Sequence, residues 1–116
     1  MSKRNDIHNN EIIEYLIKNS IFTKRQIEVI YNRKGLLSGK KVSRGAYYRV
    51  LKQCKDNIKK VIVSIILLEI LGVIDNEKRE ILIRVMNQLH SIESSDIDAT
   101  NVILILSEII RLLSRI

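Results

Sequence analysis

The sequence predicts an all-α fold: a helix-turn-helix-like N-terminal module joined by a long central helix to a C-terminal helical dimerisation module. Three observations carry that prediction. The 116 residues are 46% hydrophobic but only 4% aromatic, with Ile and Leu dominant, and they contain no Pro and four Gly. Small sandwiches and barrels need regularly spaced Gly and Pro punctuation, which this composition lacks. Along most of the chain the apolar residues recur at helical rather than strand spacing.

Asn9 or Asn10 caps a first helix over residues 11–19, in which Ile12, Ile13, Leu16 and Ile17 share a face. Ser20-Ile21-Phe22 breaks the period. Thr23-Lys-Arg-Gln26 then has the Thr-x-x-Gln form of a capping box, in which each side chain satisfies the other residue's free backbone donor. The second helix is expected over 24–33, burying Ile27 and Ile30 and ending at Gly35. Residues 34–42 read as a loop with two Gly and three Lys, and Leu36, Leu37 and Val42 leave a small hairpin or a helical turn open.

Ser43 is a suitable N-cap for the third helix. From there Tyr47, Leu51, Cys54, Ile58, Val61, Ile65 and Leu68 hold one phase, which predicts a single long helix over 44–71, ended by Gly72. Asp75 caps a fourth helix to about residue 91, with Ile81, Leu82, Val85 and Leu89 inward. After a polar connector, the last helix over 99–115 is apolar nearly all round, so something must cover it. A second subunit is the expected cover, through Ile103, Leu106, Ile109, Ile110 and Leu113.

Charge divides the chain as the helices do. Residues 1–60 hold 15 Lys/Arg against 5 Asp/Glu, and residues 61–116 hold 5 against 8, giving +10 and −3 and summing to the chain's +7. That split suggests one domain in two parts: a basic part over 9–60 facing a polyanion, and an apolar part over 61–116 for assembly. On a wheel at 100° per residue, Arg49, Lys52, Gln53, Asp56, Lys59 and Lys60 of the third helix point away from Tyr47, Val50, Leu51, Cys54 and Ile58. Arg49 suits bidentate recognition of guanine and Gln53 of adenine, while Lys59 and Lys60 suit phosphates. Gly45 lets the helix start approach a backbone closely, Arg44 meets a phosphate at the N-terminus, and Lys40 and Lys41 grip an adjacent strand. Tyr48 sits at the boundary, where its hydroxyl can reach a phosphate.

At these residues a resemblance can be stated. Phe22-Thr-Lys-Arg-Gln-Ile-Glu-Val-Ile-Tyr-Asn-Arg33 looks like the opening helix of sigma-factor region 4 and related helix-turn-helix regulators. Val42-Ser-Arg-Gly-Ala-Tyr-Tyr-Arg-Val-Leu51 is similar to the start of their recognition helix. The resemblance covers about residues 22–55 and implies sequence-specific DNA binding, with Ser43, Arg44, Tyr48, Arg49 and Lys52 near the DNA. The nine residues 34–42 are short for that group's middle helix, a role helix 11–19 could fill instead. The long helix with its apolar continuation looks more like a small dimeric prokaryotic or archaeal regulator.

Two other readings compete with a homodimeric transcriptional regulator of palindromic double-stranded DNA sites. One is an architectural or single-strand binder that uses charge without base readout. The other is a protein-interaction adaptor docking through its C-terminal helix. Catalysis is not expected, since no nucleophile-base pair or phosphate-binding Gly pattern is visible. His8 and His90 have no further ligand at metal spacing, and Asp96 and Asp98 beside Ser94 and Ser95 suit helix capping better than acid/base work, so neither metal nor cofactor is expected. Cys54 reads as a small buried hydrophobe in a reducing compartment. With no signal peptide at residues 1–6 and Glu69 interrupting the apolar run 61–74, the expected setting is cytoplasmic, without a membrane. The Ile- and Lys-rich, Pro-free composition also fits a thermophile or an AT-rich genome.

Overall fold

The computed structural model describes residues 11–33, 44–92 and 98–116. Among these residues it contains five α-helices and no strand: α1 (Glu11–Lys18), α2 (Lys24–Arg33), α3 (Arg44–Ile70), α4 (Asn76–Ile92) and α5 (Ala99–Leu113). The all-α expectation holds, and α2 has the bounds its sequence signals give. Two compact units divide the chain between Ile62 and Val63, inside α3. Gly35, the Ser43 cap and the 34–42 loop, with its choice of hairpin or helical turn, lie outside the described residues.

In the first unit the capping box at α2 forms in full. Thr23 N–H donates to Gln26 Oε1 at 3.2 Å, and Gln26 N–H donates to Thr23 Oγ1 at 3.1 Å. Asn57 of α3 donates its side-chain amide to the same Gln26 oxygen at 3.1 Å, so the cap of one helix also pins the next. Gln26 is buried despite its polarity, in a unit whose buried apolar residues are Ile12, Val29 and Cys54 among the described residues. A buried amide is tolerable only when hydrogen-bonded, and here its oxygen accepts twice. The α2 face is accordingly turned from the expected one. Gln26 and Val29 lie inside, while Ile27 and Ile30 are half-buried.

The same shift holds on α3, where Cys54 is only 1% exposed but Ile58, one turn later, is exposed. Asn57 takes the inward place, because it follows Cys54 by three residues. Lys24 and Glu14 pair at 3.9 Å between α2 and α1. Both side chains are largely open to water, so this pair contributes little.

In the second unit the helix stops are the clearest features. Gly72 has φ +81, the left-handed conformation that ends α3. The turn closes with Gly72 N–H on the Glu69 carbonyl at 3.0 Å and Val73 N–H on the Leu68 carbonyl at 2.9 Å. Glu69 pairs with Arg79 across this turn. Asp75 accepts from Lys78 N–H at 2.9 Å to start α4, and Asp98 accepts from Thr100 N–H at 3.0 Å to start α5. Lys78, in the first turn of α4, donates to the Arg115 carbonyl just past α5 at 2.5 Å.

Here the apolar residues find less cover. Leu106 is the one buried apolar side chain among the described residues of this unit. Ile81, Val85 and Leu89 of α4, and Val102, Ile103, Ile109 and Leu113 of α5, are half-buried, whereas Leu82 is exposed. Ile65, expected inward on α3, is exposed as well. No helix among the described residues is long and apolar enough to cross a membrane.

Candidate nucleic-acid interface

The basic face belongs to residues 44–60 of α3, which carry Arg44, Arg49, Lys52, Lys55, Lys59 and Lys60 against Asp56 alone. The opposite side of the helix is fixed. Cys54 is buried, Tyr47, Val50, Leu51 and Asn57 are half-buried, and Asn57 is tied to Gln26. With that side held, the remaining half of the circumference faces solvent. Burial also pushes the Cys54 thiol up from its ordinary pKa, which keeps it neutral and suits a packing role.

Each candidate contact within the described residues lies on the open side. Arg44, Tyr48, Arg49, Lys52, Gln53, Lys59 and Lys60 are all exposed. Lys40, Lys41 and Ser43 lie outside the described residues. Tyr48 is well inside the exposed face rather than at its boundary, and its ring meets Tyr47 edge-on with centroids 5.2 Å apart. The half-buried Tyr47 thus braces a ring that is 58% exposed. Gly45 is exposed, and a Cβ added there would meet nothing within 4 Å.

Lys52 pairs with Asp56 at 3.9 Å, one turn apart on the surface. Among the described residues, no carboxylate pairs with Arg44, Arg49, Lys55, Lys59 or Lys60. Five cations on one helix face without counter-charges can attract a polyanion and release its counterions. Lys55 is an exposed cation of this face that the sequence reading missed. Its signal is positional: Tyr48, Lys52, Lys55 and Lys59 stand at i, i+4, i+7 and i+11, a single stripe along the helix.

The residues expected to dimerise differ in exposure. Leu106 is buried, and Ile103, Ile109 and Leu113 are half-buried, within one copy of the chain; Ile110 is exposed. The free side of α5 is instead Leu104, Ile105 and Leu112. His90 is exposed at the end of α4, His8 and Asp96 lie outside the described residues, and Asp98 serves as the α5 cap. No group of three His, Cys, Asp or Glu among the described residues could hold a metal ion.

No family model, curated protein or solved structure matches this chain.

Proposed function

We propose that this protein binds double-stranded DNA sequence-specifically as a homodimeric transcriptional regulator, with the outward face of α3 as its reader. The observation that carries the proposal is the open face of residues 44–60, where Tyr48, Arg49, Lys52, Gln53, Lys55, Lys59 and Lys60 are exposed while Cys54 and Asn57 hold the opposite side. A helix of this kind matches the width of the major groove. Arg49 supplies a planar, bidentate donor for guanine, and Gln53 supplies paired donor and acceptor atoms for adenine. The lysines are point charges suited to phosphates, which position the helix without reading sequence. Arg44 and the open backbone at Gly45 would bring the start of α3 close to a strand, flanked by Lys40, Lys41 and Ser43.

The test is selection of bound duplexes from a random pool at two salt concentrations. An enriched palindrome supports the reading, and enrichment of no sequence overturns base readout. On the selected duplex, Arg49→Ala is expected to weaken binding by about tenfold to hundredfold and to relax preference at one base pair. Lys60→Ala is expected to weaken all duplexes alike and to lower the salt slope by about one. Tight, unaltered binding by both variants would remove α3 as the reader.

One observation favours a second reading, an architectural or single-strand binder without base readout. Four of the six cations on the face are lysines, which grip phosphates rather than bases. Under that reading a random duplex competes as well as any selected one.

A further inference from the structure

The second unit carries an apolar strip on α3 that its own described residues leave open. Val63 is 56% exposed, Ile66 54%, Leu67 53%, Ile70 76% and Leu71 65%. At 100° per residue these five span about 140° of the helix surface, and Ile62 (52% exposed) and Ile65 (50%) continue the open apolar surface to one side of them. The inward residue of this stretch, half-buried Leu68, points to the other side. Together the five open on the order of 500 Å² of apolar surface, the upper end of the largest patch that monomers ordinarily carry. Two such strips facing each other would bury at most about 1,000 Å², the lower limit of a specific interface.

The spacing and the flanking charges say which occupant fits. Val63, Ile66, Leu67 and Ile70 are symmetric about their midpoint, so two antiparallel copies set Val63 opposite Ile70 and Ile66 opposite Leu67. Lys59 and Lys60 come one turn before the strip. Beyond Gly72, residues 75–80 hold Asp75, Glu77 and Glu80 against Lys78 and Arg79. An antiparallel copy therefore brings lysines toward the carbonyl end of a helix and a stretch of net charge −1, whereas a parallel copy sets lysines against lysines. We infer that the Val63, Ile66, Leu67 and Ile70 strip of α3 is the subunit interface, packed antiparallel on the same strip of a second copy. This inference rests on the homodimer in the proposed function, and its orientation draws on Lys59 and Lys60 at the end of the basic face.

Sedimentation equilibrium of the full chain without DNA tests it. The wild type is expected to be a dimer. Ile66→Lys is expected to raise the dimer dissociation constant by about 100-fold or more, because a lysine would be trapped in the apolar centre. Its far-UV circular dichroism should be unchanged, since Ile66 is open in the single chain. Ile105→Lys, on the free side of α5, is expected to leave the dimer intact. A dimer that survives Ile66→Lys but falls apart with Ile105→Lys overturns the α3 interface and keeps the homodimer, while a monomeric wild type overturns both.

Cysteine pairing fixes the direction, because the native Cys54 is buried and serves as the uncrosslinked control. Val63→Cys mixed with Ile70→Cys should form a covalent dimer on mild oxidation, and neither alone should. In the antiparallel pair identical positions are about 10 Å apart along the axis, beyond disulfide reach. Crosslinking by each variant alone means parallel packing and overturns the antiparallel arrangement.

Discussion

The two units reverse the usual relation between apolar content and core. The first unit carries most of the charge, yet it buries Ile12, Val29, Cys54 and a glutamine. In the second, long Ile- and Leu-rich stretches bury Leu106 alone among the described residues, and α3 leaves Val63, Ile66, Leu67 and Ile70 open. Burial depends on where the apolar side chains point and what meets them, not on how many there are. The polar contact between Gln26 and Asn57 ties α2 to α3 in the first unit.

The sharpest way to break this contrast is through Leu106. If it is the centre of the second unit, Leu106→Ala should cost about 2–4 kcal/mol in chemical denaturation, from lost transfer energy and the cavity left behind. Leu104→Ala, two residues away on the open side, should cost less than about 0.5 kcal/mol. Equal losses would mean that α5 is covered on both sides, and the contrast between the units would fail.

Next in size is the polar contact. Gln26→Ala removes the acceptor shared by Thr23 N–H and the Asn57 amide, and should cost about 1–3 kcal/mol. Cys54 reports the effect locally, because its buried, neutral thiol can react with an aromatic disulfide only when the first unit opens. Labelling should therefore accelerate about tenfold to hundredfold in Gln26→Ala, in proportion to the stability lost. An unchanged labelling rate would show that Gln26 does not hold α3.

These residues also show what was legible in the sequence. Helix bounds were, because caps and stops are local: Thr23 with Gln26, Gly72, Asp75 and Asp98 act over three or four residues. The basic face was too, since one helical phase fixes which side Arg49 and Lys60 share. The inward turn of Asn57 was not legible, because its acceptor Gln26 lies 31 residues away and no periodicity encodes a tertiary hydrogen bond. Apolarity identified α5 as needing cover, but it could not distinguish the side used within one chain, centred on Leu106, from the side left open at Leu104 and Ile105. The exposed strip on α3 was hidden for the same reason: Val63 to Leu71 is apolar nearly all round, and the fold half-buries Leu68 while it leaves Ile65 open with the strip.

A smaller effect separates stability from function at the start of α3. Gly45 lies in a helix with open space around its Cα, so Gly45→Ala should stabilise the first unit by about 0.5–1 kcal/mol. If the backbone there approaches DNA, the same methyl should weaken binding even as the melting temperature rises. A variant that is both more stable and an equally tight binder would take Gly45 out of the interface.

The smallest effect belongs to the open side of α5, where Glu108 and Arg111 pair at 2.5 Å with both side chains more than half exposed. The hydrogen bond from Arg111, and then its charge, hold the Glu108 carboxyl below its ordinary pKa. A carboxyl lowered in the folded state binds protons less readily than it does unfolded, so its contribution is present at neutral pH. As pH falls below the ordinary glutamate value near ~4.3 and through the lowered one, that contribution disappears. Because water and salt screen the pair, Glu108→Gln should shift neutral-pH stability only slightly and should flatten a small part of the acid limb below pH ~4.3. A large loss at neutral pH would mean that this side of α5 is not open to solvent, and that the partner of the second unit lies on Leu104 and Ile105 after all.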